Sequence, residues 1–495
     1  MSMEKEKKHP SVFEPFAIVL NLAVSVVGAI IGIQIVTTLG VTPSTSIIGA
    51  LVAMLIARIP MELFRKYKSI HRQNLMQTSI SSATFGAANS LLIPIGIPFI
   101  MGKTELILPM LIGAALAMFI DATLLYKLFD SRIFPAHESW APGVATAESI
   151  LAGDKGGKRA GLLGIGALIG VIGSVLKIPM SALGVAFIGN IWALTMFGVG
   201  LLINQYSMPL FQLDVGKLYI AHGIMIGAGI VALIQVAVLI FKREDSAAEA
   251  SKENEAVTVP MRSVKRTLGL GYVAYLAVAV IIAVLGGLMT KMSAGMLIGF
   301  IIFAAFAAFF HELIVGIAAM HSGWFPAFAD MGYDLKTGYI LRGNGSDKEL
   351  EIRGRKQQYY TGMIAFGVAL LTVVLTYKGF FGQNLVPPID KVYASTINAG
   401  ASLDVAMKLL IWAIPGAIIQ WIGGPNRQLG VMLATGLLIV SPNACWAVLG
   451  GILIRVAVLK IKGKEAESTM SILAAGFIAG DALYSFFTSV FKASK

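Results

Sequence analysis

The sequence predicts an all-α, polytopic membrane protein, and three observations carry that expectation. Apolar residues make up 56% of the 495-residue chain and charged residues only 13%, whereas soluble domains are nearer a quarter charged. Runs long enough for a helical crossing, about 20 residues for a hydrocarbon core about 30 Å thick, recur from Phe13 almost to the C-terminus. Fifty-three glycines suit helices that must approach closely in lipid, where small residues govern packing. No stretch is left for a soluble domain. About 14 to 16 membrane segments are implied, broken and re-entrant ones included.

From the N-terminus, "MSMEKEKKHPSVFEP" leads into an apolar run too long for a signal-peptide core, so the first span is expected to be retained. Spans are expected at 12–39, 43–64, 74–101, 105–127, 160–177, 181–204 and 217–241. The hydrophilic stretch 242–266 has no apolar periodicity and reads as a solvated linker. Further spans are expected at 267–289, 292–311, 313–329, 358–380, 404–422, 428–441, 443–459 and 469–491. Basic clusters in the N-terminal tail, Arg65–Arg72, Lys155–Arg159, the linker and Arg353–Lys356 should all face the cytoplasm. The net charge of +12 is explained by such loops and gives no reason to invoke nucleic acid. Three full crossings between Arg159 and Lys242 would put the linker outside, so one segment there must be re-entrant or an extra short crossing. "IPMSALGVAFIGN" and "SMPLFQLDVGK" are the two candidates. Cys445, the single cysteine, excludes a disulfide within the chain.

The halves echo each other. "ESILAGDKGGKRAGLLGIGALIGV" and "GYILRGNGSDKELEIRGRKQQYYTGMIAFGVAL" both run I-L-x-G-[D/N], a basic stretch, then a Gly-rich apolar helix. The expected organisation is an N-terminal membrane repeat (1–241), a cytoplasmic linker (242–266) and a C-terminal repeat with a final helix (267–495). Duplicated bundles are a common transporter architecture, with substrate held between repeats near the midplane.

Acids and histidines inside lipid are costly, so they are functional candidates. Asp121 lies in "LAMFIDATLLYK", Glu148 in "APGVATAESILAGDK", His311 and Glu312 in "FFHELIVGIAAMH" with His321 at its end boundary, and Asp481 in "AGFIAGDALYSFF". The bland alternative for each is an interhelical hydrogen bond. The pair His311-Glu312 invites a zinc protease, but H-E-x-x-H needs two histidines on one helical face, and Val315 stands where the second should be. No phosphate-cradling lysine motif appears, and no metal or other cofactor is expected. Along "NLMQTSISSATFGAANSLLIPIGIP", Gln77, Thr78, Ser81, Ser82, Thr84 and Asn89 recur mainly at three- and four-residue spacing, a polar helical stripe that two prolines and a glycine should then break. Such a stripe either glues helices together or lines a pathway; the second reading is preferred.

Four stretches together resemble the oligopeptide transporter (OPT) superfamily, in particular its prokaryotic branch, related to the yellow-stripe-like metal-chelate transporters. "NLMQTSISSATFGAANSLLIPIGIPFIMG" is similar to an N-x-x-Q-T span ending in proline. "WAPGVATAESILAGDKGGKR" is similar to a P-x-G-T-A-x-A-E segment with a basic turn. "DLKTGYILRG", which contains Lys336, with the later "RKQQ" matches D-L-K-T-G-Y and R-K-Q-Q. "GGILIRVAVLKIKGKEAESTMSILAAGFIAGDAL" resembles a G-G-x-x-R and G-x-I-A-G-[DE]-A-L region. Val144 departs from the usual threonine and Pro142 from a common glutamate. The resemblance implies a secondary transporter in the cytoplasmic membrane, N-terminus inside, proton-coupled, moving small peptides or metal-chelate, siderophore-like compounds by symport. It implies as partners that substrate, the coupling proton and the lipid bilayer, with a homodimer as a possible assembly. The competing classes are a channel-like pore for small polar solutes and a membrane-embedded enzyme, the latter lacking a catalytic constellation.

Overall fold

The computed structural model describes residues 9–39, 45–241, 259–290, 327–399, 403–439 and 443–493, with isolated positions between 298 and 320. Those residues form eighteen α-helices, numbered here in chain order. The first ten are α1 (Pro15–Leu39), α2 (Thr45–Ile56), α3 (Ile70–Phe85), α4 (Ile93–Ile100), α5 (Ile107–Leu128), α6 (Ala141–Lys155), α7 (Gly157–Val175), α8 (Met180–Ile188), α9 (Ile191–Phe211) and α10 (Ile220–Phe241). The other eight are α11 (Met261–Thr290), α12 (Ala327–Leu341), α13 (Lys348–Gly382), α14 (Pro388–Ala399), α15 (Leu403–Arg427), α16 (Leu429–Leu438), α17 (Ala444–Lys462) and α18 (Ala466–Ala493). Eight helical stretches are long and apolar enough to cross a membrane among the described residues. The protein is an all-α, multi-pass membrane protein.

Several expected spans are corrected by their length. The segment 43–64 holds α2, 12 residues long and so roughly 18 Å, followed by a 3₁₀ stretch over Glu62–Lys68. The segment 181–204 divides at Gly189-Asn190, because Asn190 caps α9 by accepting from the amides of Trp192 and Ala193. That leaves α8 at nine residues, roughly 13 Å, too short to cross. "IPMSALGVAFIGN" is therefore the short element expected in this region, and "SMPLFQLDVGK" is the end of α9 with its turn. The linker ends earlier than expected, since 261–266 are already the first turns of α11. The helix α14 was not foreseen, and the expected spans 292–311 and 313–329 fall mostly outside the described residues. Nor do the prolines break the helix after the polar stripe. α3 and α4 are joined by a π-helical segment, Gly86–Leu92, so the helical run from Ile70 to Ile100 is continuous.

Backbone-to-backbone packing holds the far ends of the chain together. α7 carries Gly166 and Gly170, α18 carries Gly476 and Gly480, and the two G-x-x-x-G faces meet. A Cβ on Gly480 would lie 2.2 Å from the carbonyl oxygen of Ala167, and one on Gly170 would lie 2.6 Å from that of Phe477. Only a missing side chain permits this approach, which gains dispersion contact along the whole crossing.

The basic clusters gather at one end. Arg72 pairs with Glu14 at 2.8 Å, Val12 N–H donates to Gln357, and Arg58 donates to the carbonyl of Gly153 at 2.9 Å. Arg355 donates to the carbonyl of Phe129 at 2.9 Å, and Val259 N–H to that of Asp130. The N-terminal segment, the starts of α3, α11 and α13, and the ends of α2, α5 and α6 therefore share one face.

Two expectations follow. Gly480→Ala should lower the melting temperature of the detergent-purified protein, because overpacking against backbone costs about 1–3 kcal/mol; Gly161→Ala, with open space around it, should not. Equal melting of both variants would refute the tight crossing. In a Cys445→Ala background, Lys158→Cys and Arg353→Cys should react with an impermeant thiol reagent from the same side of the membrane. Arg353 is chosen because a side chain on Gly354 would meet Arg342 and His9 at 2.4 and 2.8 Å. Labelling of the two sites from opposite sides would remove the single basic face.

Candidate functional site

Where the stripe on α3 points is settled by two acids on α12. Asp330 and Asp334 stand four residues apart on one helical face, 3% and 0% exposed. Oδ1 of Asp330 accepts from the hydroxyls of Thr45 at 3.0 Å and Ser81 at 3.1 Å. Asp334 accepts from Ser46 at 3.1 Å, from the Gln77 amide at 2.5 Å and from Ser82 at 3.4 Å. Ser81 lies 3.0 Å from Ser46 and 3.2 Å from Thr45, so a ladder of hydroxyls bridges the two carboxylates. Neither acid makes an ion pair among the described residues. Asp330 Oδ2, Gln77 Oε1 and Asn74 Nδ2 are buried without a hydrogen-bond partner among the described residues, so the cluster's own side chains leave part of its hydrogen-bonding capacity unfilled.

The cluster forms because three short or interrupted elements converge. α2 and α12 are 12 and 15 residues long, and their first turns meet there, through Thr45 and Ser46 on one and Asp330 and Asp334 on the other. All thirteen residues from Gln73 to Phe85 are buried, so the stripe is enclosed by neighbouring helices and not open to a channel. α12 lies tightly on α6, where a Cβ on Gly143 would come 2.5 Å from the carbonyl of Tyr333 and Thr337 donates to the carbonyl of Gly143 at 3.1 Å.

A second network runs from the pair to the basic end. Gln358 on α13 donates to the backbone carbonyl of Asp334 at 2.7 Å and to Thr78 at 3.2 Å. Its own carbonyl accepts from Arg342 at 2.7 Å. Arg342 is held by Glu351 at 2.7 Å, both with fully buried side chains, and Glu351 also holds Arg355 at 3.1 Å. Each buried charge has a partner, as burial requires.

Of the residues singled out from sequence, Gln77 joins the carboxylate pair. Lys336, on the same helix, is buried and donates from Nζ to the carbonyl of Ala136 at 2.7 Å, 5.5 Å from the Tyr339 ring centre. Asn89 sits half-buried in the π segment. Asp121 accepts from the hydroxyl of Tyr275 on α11. Asp481 accepts from Ser174 at 2.6 Å and from the amide and hydroxyl of Ser181 at 3.0 and 2.5 Å, tying α18 to α7 and α8. Glu148 pairs with Arg159 across the α6–α7 junction. These three acids are spread over different helix contacts and are not brought to the pair. His311, Glu312 and His321 lie outside the described residues. Among the described residues no group of three or more His, Cys, Asp or Glu is placed to hold a metal. Sequence reasoning did not single out Asp330 or Asp334, although "DMGYD" offered a signal: two acids at i and i+4, the second of them the first residue of the recognised "DLKTGYILRG".

The family model for the OPT oligopeptide transporter protein matches residues 15–241 and 322–492. The chain belongs to the OPT oligopeptide transporter family. Membership places it among membrane transporters of oligopeptides. The matched segments contain α2, α3 and α12, and hence the whole carboxylate cluster, whereas the linker and α11 fall between them. No curated protein and no solved structure matches this chain.

At the basic end of this OPT chain, His9 stacks beside His71 with ring centres 5.1 Å apart. Burial, then the positive charge of Arg342, lowers its pKa from 6.5 to about 3. The folded protein thus keeps His9 neutral where an unfolded chain would bind a proton. Stability from this group is intact above pH 6.5 and is lost progressively as the pH falls from 6.5 towards 3. His9→Gln should flatten the fall in melting temperature between pH 6.5 and 4.5. An unchanged slope would show that His9 does not control it.

Proposed function

We propose that this protein is a proton-coupled secondary transporter of small peptides or metal-chelate, siderophore-like compounds, and that the Asp330–Asp334 pair carries the coupling proton. The hydrogen count at the pair supports this reading. Thr45, Ser46 and Ser81 carry one hydroxyl hydrogen each, yet five short contacts join them to one another and to the acids. With both acids charged, three of those contacts can be hydrogen bonds. One proton on Asp334 supplies a fourth, and the ladder then runs unbroken from Asp334 to Ser46, Ser46 to Ser81, and Ser81 to Asp330. Two like charges in one dry site are also costly, so a shared proton is the stable occupancy.

The surroundings suit alternating access. The pair lies between short helices that start or stop at depth, where transporter sites are built, and the α3–α4 rod contains a π segment of the kind found at functional sites. The shared I-L-x-G plan ends two 15-residue helices, α6 and α12, whose Ile150, Leu151, Ile340 and Leu341 pack in one cluster. We take this as a sign of duplication, with the repeats at 1–241 and 267–495 and the basic face towards the cytoplasm.

Reconstitution into liposomes tests the assignment with a panel of di- and tripeptides and iron(III) chelates. The wild type should show saturable uptake, accumulation driven by a pH gradient, and counterflow. Asp334→Asn, which keeps shape but not titration, should retain counterflow and lose pH-driven accumulation, while Glu148→Gln should keep both. Loss in Glu148→Gln with retention in Asp334→Asn would move the proton to Glu148. Conductance without counterflow in the wild type would replace the transporter with a pore.

A further inference from the structure

The basic end holds a second feature, separate from the Asp330–Asp334 cluster. A cleft of about 530 Å³ opens between the end of α5, the start of α11 and the start of α13, lined by Tyr126, Lys127, Ser263, Arg266, Thr267 and Arg355, among others. The charge of Arg355 is already answered by Glu351 at 3.1 Å and Asp130 at 3.6 Å. Lys127 and Arg266 are exposed and make no ion pair among the described residues, so two positive charges are left for an outside partner. The hydroxyls of Ser263 and Thr267 add neutral donors beside them.

The geometry below the cleft is as informative as the cleft. Ser263, Arg266, Leu270, Val273 and Val280 follow one another at three-, four-, three- and seven-residue steps, which is one face of α11. Leu270, Val273 and Val280 are 58%, 63% and 41% exposed. A charged and hydroxylated head therefore continues directly into an apolar stripe on a membrane-spanning helix. An inorganic anion would use the head alone. A diacyl lipid with an anionic phosphate uses both parts.

We propose that this cleft binds the phosphate headgroup of an anionic phospholipid, with Lys127 and Arg266 as its charged contacts and the acyl chains laid along Leu270 and Val273. Basic pockets between membrane helices are known to take such headgroups. α11 lies between the two segments matched to the family, whereas Lys127 and Arg355 lie within them.

Native mass spectrometry of the full-length protein, titrated with phosphatidylglycerol or phosphatidylcholine, tests the proposal. The wild type should retain phosphatidylglycerol in preference, and the Lys127→Gln/Arg266→Gln double variant should lose that preference by on the order of tenfold. Lys460→Gln/Lys462→Gln, which removes two charges at the exposed end of α17, should leave it unchanged. Equal retention of the two lipids by the wild type, or equal loss in both double variants, would overturn the site. Thermal stabilisation by inorganic phosphate without retention of phosphatidylglycerol would reassign it to a soluble anion and overturn the lipid. The outcome is independent of whether Asp330 and Asp334 couple transport.

Discussion

Two carboxylates buried on one face of α12 set the terms for the helices around them. A charge removed from water must be met by hydrogen bonds or it neutralises itself. That demand explains why α3 spends its centre on serines, threonines and glutamine in a membrane chain, and why α2 points Thr45 and Ser46 inward. It also explains Gln358, which is held by Arg342 on one side and holds the Asp334 backbone on the other. Relaxing the pair would strand the hydroxyls of Thr45, Ser46, Ser81 and Ser82 and the Gln77 amide without their acceptors. The cluster therefore adds directional hydrogen bonds to the packing that positions α2, α3, α12 and α13.

The long spans were legible because one physical quantity decides them: enough consecutive apolar residues to cover the hydrocarbon. Short elements were not, since α2, α8 and α12 are stopped by neighbours and caps that a hydropathy window does not see. The polar stripe on α3 was legible from spacing, and Gln77, drawn from it, hydrogen-bonds Asp334. Its partners were missed for a related reason. The polar residues Asp330, Asp334 and Lys336 kept most of 327–341 out of the expected spans, whereas the partners that meet these groups lie up to 288 positions away in sequence. The proline break after Asn89 failed because a π segment widens the helix locally and lets the rod continue. Glu148, conspicuous among small residues, is matched by Arg159 just beyond a glycine turn, a pairing that required knowing how sharply α6 turns into α7.

Glycine has two jobs in this fold. At the α7–α18 crossing it removes side chains so that backbones touch. Near Gly156, with φ of 64°, it reverses the chain after α6 in a conformation other residues rarely adopt. The first job gives rigidity and the second gives a corner. The first job also operates beside the carboxylate cluster, where a Cβ on Gly49 of α2 would lie 2.6 Å from the carbonyl oxygen of Gln77 on α3.

The pairing of early with late helices bears on how the protein is made. α7 packs on α18, α9 on α16 and α10 on α15, so partners are separated by roughly two hundred residues or more of chain. Helices leave the ribosome in order, and the N-terminal ten enter the bilayer with their glycine grooves and polar faces still unfilled. Such long-range closure is slow and leaves sticky intermediates. The fold therefore closes only when α18, the last of the helices described, packs against α7, α8, α6, α1 and α2. A chain cut short before Ala466 would be inserted yet unlatched, and the membrane quality-control machinery would meet it in that state.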